Sequence, residues 1–183
     1  MTFSWTPHRF SGGALALDVA NSVILRFDPA RSIDRFAVPA QLDGFGPAAA
    51  EFCAERALFG DLVPMAPAPH PDLLRLREAI DCYFRAQAGD ADNAAQLADL
   101  LEAIADGLRA GDARTSLEAA TARSALRLIG EPEPERLKIC GNCGWLFLDR
   151  SRNRSRAWCD MTVCGNRAKA SRHYRRRKEE SVR

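Results

Sequence analysis

The sequence predicts a mainly α-helical fold: a helical body over residues 1–130, a linker over 131–135, and a small C-terminal module over 136–183 built from a β-hairpin and a basic helix. Three observations predict it. Apolar residues recur at spacings of three and four through the middle of the chain. Four cysteines fall in two close pairs near the end. A run crowded with arginine and lysine follows directly, "CGNRAKASRHYRRRK", Cys164 to Lys178.

The elements follow in order. "GGALALDVANSVILRF" reads as a helix after Gly12 and Gly13, although Val19, Val23 and Ile24 would also suit a strand. "PAAAEFCAERALFG" reads as a helix with Pro47 near its start and Gly60 after its end. "APAPHP" is a turn. "DLLRLREAIDCYFRAQAG" places Leu73, Leu76, Ile80 and Phe84 on one face, and Gly89 stops it. "DNAAQLADLLEAIADGLRAG" repeats the pattern with Leu97, Leu101, Ile104 and Leu108. "SLEAATARSALRLIG" points Ala122, Leu126 and Ile129 inward and stops at Gly130. "EPEPE", Glu131 to Glu135, is a short stiff linker. There is no internal repeat.

Cys53 and Cys82 lie in expected helices beside apolar residues and read as buried thiols packing as small hydrophobes. The other four differ. Cys140 and Cys143 form C-x-x-C; Cys159 and Cys164 follow after a hairpin-sized span. This spacing fits one tetrahedral four-thiolate site better than disulfides or a thioredoxin-like redox pair. One structural Zn2+ per chain is the expected ion, with iron as its rival. A module this small needs the metal to fold. Between the pairs, Trp145 and Phe147 read as a strand, Asp149 to Ser155 as a polar turn, and Arg156 to Cys159 as a return strand. Trp145, Phe147 and Trp158 are expected to pack around the metal rather than to stack on bases.

The charge is uneven. From Arg136 onward, fourteen Lys and Arg oppose four Asp and Glu, a net of +10, so the rest carries −8 of the whole chain's +2. Four thiolates around Zn2+ leave the module at about +8. Such a module suits a polyanion. On the last helix Val163, Ala170 and Tyr174 share a stripe that would pack on the hairpin, with Lys169, Arg172 and Arg176 opposite. The expected phosphate and base contacts are Arg150, Arg152, Arg154, Arg156, Arg167, Lys169, Arg172, Arg175 and Arg176. His173 is expected on the surface.

No apolar run is long enough to span a membrane and no leader precedes the body, so the cytoplasm is the expected compartment. An enzyme is not expected. There is no histidine cluster and no Gly-rich phosphate loop, and a zinc held by four cysteines has no open position. A nucleic acid is the expected partner, and the residues alone do not separate duplex DNA from RNA. An RNA-binding or ribosome-associated role, or a protein adaptor, is the alternative. One such module has a small footprint, so a homodimer with paired half-sites would suit specific regulation.

"CGWLFLDRSRNRSRAWCDMTVCGNRAKASRHYRRR" resembles the CGNR zinc finger, named for the tetrapeptide that is here Cys164, Gly165, Asn166 and Arg167. "GGALALDVANSV" is similar to the "LDFxNT" pattern of the ABATE domain, with Leu17, Asp18 and Asn21 in the matching places and Val19 and Ser22 departing from it. The resemblance implies a stress-responsive transcription regulator whose finger binds DNA and whose helical body senses a small ligand. Asp18 and Asn21, three apart on a helix, would then be ligand contacts in an apolar pocket. The competing reading is that they tie down buried backbone.

Overall fold

The structure, a computed structural model, describes residues 3–65, 68, 70–91 and 93–180, without the side chains of residues 175 and 178–180. The body is helical: α1 (Leu15–Ala20), α2 (Pro39–Asp43), α3 (Phe45–Phe52), α4 (Pro71–Ala88), α5 (Ala94–Arg109) and α6 (Leu117–Ile129). Two short antiparallel hairpins join them, β1 (Val23–Ile24) with β2 (Ile33–Asp34), and β3 (Leu137–Ile139) with β4 (Leu146–Leu148). The last helix, α7, runs Asn166–Glu180. Among the described residues no helix is long and apolar enough to cross a membrane.

The three long body helices form where the periodicity places them. On α4 the expected stripe Leu73, Leu76, Ile80 and Phe84 is fully buried. On α5 the face is turned. Leu100, Ala103, Ile104 and Gly107 go inward, and Leu101 and Leu108 are exposed. Small residues at 103 and 107 let α4 and α6 approach closely, and the larger leucines are left outside. The face of α6 is likewise Ala122, Ala125 and Leu128, with Leu126 exposed. Ser116 caps α6, its hydroxyl accepting the Ala119 amide at 3.1 Å.

The amino-terminal third departs further from expectation. Helix α1 stops at Ala20, and Val23 and Ile24 form a strand. Arg77 on α4 holds that hairpin with a bidentate pair to Asp34 at 2.7 and 2.8 Å. Helix α3 ends at Phe52 instead of running on to Gly60. The turn after it frees Glu55 to reach elsewhere. Its carboxylate accepts the Leu15 amide at 2.8 Å, bonds Ser124 and pairs with Arg127 at 3.0 Å. A continued helix would give that up. Cys53 is buried as expected, but Cys82 is exposed on the outer face of α4.

The segment 131–135, expected as a linker, leads into the body without a gap in packing. Leu137, Leu146 and Leu148 share one hydrophobic core with Leu17, Leu76, Ile80, Phe84, Leu100 and Ile104. The loop before α1 lies along the edge of β4, where Gly12 O accepts the Leu148 amide at 2.9 Å. Gly13 has φ +85° and its Cα faces the Leu148 side chain, so a side chain there would be both strained and crowded.

Candidate functional site

Strand β3 leads into Cys140 and β4 leaves just after Cys143. The turn between them closes with Gly144 N–H on Cys140 O at 2.9 Å and Cys140 N–H on Trp145 O at 2.8 Å. Gly144 takes φ +75°, which lets the chain reverse within four residues. The second cysteine pair arrives on an irregular segment. The return strand expected over Arg156 to Cys159 does not form; β4 pairs with β3 upstream instead. Gly141 N–H to Ala157 O at 3.1 Å pins the irregular segment to the first turn. Residues Met161–Gly165 make one wide helical turn, capped by Asp160, whose carboxylate accepts the Thr162 amide at 2.8 Å. Cys164 lies in that turn, and α7 starts two residues later.

Cys140, Cys143, Cys159 and Cys164 bring their sulfurs within 4.8 Å of one another. Sγ of Cys159 lies 3.7 Å from that of Cys143 and 3.7 Å from that of Cys164. A ZnS4 tetrahedron with bonds of about 2.3 Å has edges of about 3.8 Å, so these separations are those of four thiolates around one zinc. They are far too long for a disulfide. All six cysteines are free thiols. The packed sulfurs cannot all ionise alone. Hydrogen bonding to the Cys140 sulfur pushes Cys143 well above the ordinary thiol range and Cys159 up to about 12. A divalent cation removes that conflict.

Aromatic rings cover the centre. Trp145 and Phe147 are buried with the cysteines and Trp158 packs beside them. One further residue reaches it from the body: His8 stacks on Trp145, its Nδ1 lies 2.9 Å from Asp160 Oδ2, and its Nε2 lies 4.0 Å from Cys164 Sγ. Nothing in the local sequence around His8 signals this; it is distant in sequence from every cysteine it serves. Asn142 adds an amide donor to Cys164 Sγ at 3.4 Å. Asp149 was also missed. It is fully buried and accepts Lys138 Nζ at 2.8 Å, the Ser151 amide at 3.0 Å and the Arg156 amide at 2.9 Å. Burial pulls its carboxyl upward, but the Lys138 ammonium and the Ser151 and Arg156 donors outweigh this and hold it below the usual range.

Residues 136–177 match the family model of the CGNR zinc finger. The C-terminal module is a CGNR zinc finger. No curated protein matches the chain.

The cations of the finger divide into two groups. Some are engaged within the fold. Arg154 pairs with Glu133 and Glu135, and Arg136 with Glu133, so the acids of the expected linker neutralise part of the finger's charge. Arg156 donates to Cys159 O and lies over the Phe147 ring at 5.4 Å. It is a brace of the zinc loop, not an outward cation. Arg150 is exposed and touches Gly13 O at 3.3 Å. The others face solvent. Arg152, Arg167, Lys169 and Arg172 are exposed and make no hydrogen bond or ion pair among the described residues. Lys169, Arg172, His173 and Arg176 line one shallow groove on α7. The side chain of Arg175 lies outside those described.

The stripe Val163, Ala170 and Tyr174 does not pack on the hairpin. Ala170 is exposed and Tyr174 is 72% exposed. Every residue from Lys169 to Tyr174 is exposed, because α7 leaves the wide turn at Cys164 and projects away from the finger. Of the two residues with an expected ligand role, Asn21 donates from Nδ2 to Leu146 O at 2.9 Å and accepts the Leu146 amide at 3.0 Å. Asp18 Oδ1 accepts the Gly12 amide at 2.9 Å, while Oδ2 is buried beside the Cys53 thiol without a hydrogen-bond partner. The polar atoms of Asn21 and the Oδ1 of Asp18 are spent on backbone. This geometry is that of the competing reading, in which both residues tie down the fold.

Proposed function

We propose that the chain is a transcription regulator that binds duplex DNA through α7 and the turn carrying Arg150 and Arg152. The supporting observation is α7 itself. Fifteen residues form a helix whose described side chains from Lys169 to Tyr174 bury nothing. Helices of this length are marginal in water without packing, and clustered cations weaken them further. A polyanionic groove supplies both the contacts and the opposite charge. The zinc-held turn at Cys164 fixes the direction in which α7 leaves, and a helix of this width fits the major groove. Arg167, in the first turn beside the metal ligand, and Arg152 in the loop are the groups assigned to base edges. Lys169, Arg172 and Arg176 suit phosphates.

The test is fluorescence anisotropy of labelled duplexes with zinc-loaded protein at several salt concentrations. With about five phosphate contacts, log affinity falls against log salt with a slope of about −4 to −5. Arg172→Ala weakens all sequences and flattens the slope by about one. Metal-loaded protein with no salt-sensitive affinity for any duplex would refute the reading. Salt-sensitive binding confined to RNA would move the assignment to an RNA-binding role.

A further inference from the structure

The finger and the body do more than touch. Between them lies an open cleft of about 240 Å3, bounded on one side by the end of α1, β1 and α4, and on the other by Cys143, Gly144 and Trp145 of the zinc loop. Its apolar walls are Val23, Leu25, Phe27 and Trp145, and its polar groups include Arg26 and Arg85. The volume is a little under the roughly 300–1,000 Å3 usual for ligand pockets, so it suits a one-ring molecule rather than a macromolecular segment.

Two features of the cleft are unexplained by folding. Leu25 sits at φ +49°, a left-handed conformation rare for leucine, and strain of this kind collects at ligand sites. Phe27 is 68% exposed at the cleft edge, with the Arg85 guanidinium 4.7 Å from its ring centre. Arg85 in turn donates to Asp81 through Nε and Nη2 and to Gly144 O through Nη1 at 2.9 Å. That uses three of its five N–H groups and leaves donors to spare.

We infer that this cleft binds a flat aromatic molecule bearing a carbonyl or carboxylate oxygen. The ring lies among Val23, Leu25 and Phe27, and the oxygen accepts from the N–H groups that Arg85 leaves free. Asp81 and Glu78 already balance Arg85 and Arg26, so acids and amides both fit. An occupant touches the zinc loop and the body together; of the two residues with an expected ligand role, Asn21 lines the cleft and Asp18 does not.

The experiment uses full-length zinc-loaded protein without nucleic acid. Benzoate and benzamide are titrated while the indole N–H resonances are followed by 15N-resolved NMR, that of Trp145 being identified by its loss in Trp145→Phe. Either probe is expected to shift the Trp145 resonance saturably in the millimolar range and to leave that of Trp5 in place. Phe27→Ala removes an exposed ring, so it folds, and it is expected to weaken the probe about fivefold. The inference is overturned if neither probe moves the Trp145 resonance up to its solubility limit. It is equally overturned if acetate moves that resonance as far as benzoate, or if Phe27→Ala leaves the affinity unchanged.

Discussion

The side-chain amide of Asn21 grips the backbone of Leu146 in both directions, Nδ2 to the carbonyl at 2.9 Å and Oδ1 to the amide at 3.0 Å. One residue at the end of α1 thereby acts as the missing strand neighbour of β4. Leu146 is fully buried, so neither backbone group can turn to water instead. Asn21→Ala leaves both unsatisfied, at about 1–3 kcal/mol each. A loss of about 3 kcal/mol is expected in urea denaturation of the zinc-loaded protein. Asn21→Asp is expected to be no better, because a carboxylate cannot donate to the Leu146 carbonyl. A loss below about 1 kcal/mol for Asn21→Ala would show that the bond pair does not hold the finger to the body.

Removing the metal has a consequence opposite to that expected from a stiff linker. Were the finger an appendage, Cys159→Ser would unfold it and spare the helices. Instead Leu137, Leu146 and Leu148 are part of the body's own core. Structural zinc contributes about 10–16 kcal/mol in small fingers, as much as the whole stability of an ordinary domain. Cys159→Ser, or a strong chelator, is therefore expected to lower the melting temperature of the helical signal in circular dichroism. Two separate transitions, with the helical one unmoved, would contradict it.

Asp18 ties stability to pH. Burial raises its carboxyl well above the usual range, partly opposed by the Gly12 amide. In the unfolded chain it ionises near pH ~4. Above that pH the folded state keeps a proton that the unfolded state has lost. Its contribution is complete below pH ~4 and declines by about 1.4 kcal/mol per pH unit until the folded carboxyl itself ionises. Asp18→Asn keeps the acceptor for Gly12 and cannot ionise. The stability difference between the variant and the parent is expected to grow in favour of the variant as pH rises from about 4. A constant difference across pH 4 to 7 would mean that Asp18 is charged in the folded protein.

Much of this was legible in the chain. The four metal ligands were readable because thiolate spacing is local chemistry, and the long helices because periodicity repeats over several turns. The faces of α5 and α6 were misplaced by a residue because small side chains, Ala103, Gly107 and Ala125, mark the closest approaches there. Periodicity counts large apolar residues and overlooks these. The pairing of β4 with β3 was missed because Asp149 and the polar turn suggested a reversal after β4, whereas the C-x-x-C turn itself is the reversal. Asn21 was singled out but its partner Leu146 was not, and His8 and Glu55 could not be found at all. Each acts on a partner more than forty positions away or in another element, and no local pattern encodes such a contact.

The arginines of the finger divide between holding the fold and facing a partner. Arg156 and Arg172 are both arginines of the finger, but Arg156 is turned onto Cys159 O and Phe147, and Arg172 onto solvent. Arg156→Ala removes a brace of the zinc loop. It is expected to cost about 1–3 kcal/mol and to speed zinc transfer to a competing chelator. Arg172→Ala is expected to change stability by less than about 0.5 kcal/mol, as exposed substitutions do. Truncation before Lys169 extends the same logic, since the residues from Lys169 to Tyr174 bury nothing. Melting temperature and zinc retention are expected to hold, while salt-sensitive nucleic-acid binding disappears. If the truncated protein instead loses its zinc or its cooperative melting, α7 is a structural part of the finger. If it binds duplexes with an unchanged salt slope, the contacts lie in the turn around Arg150 and Arg152.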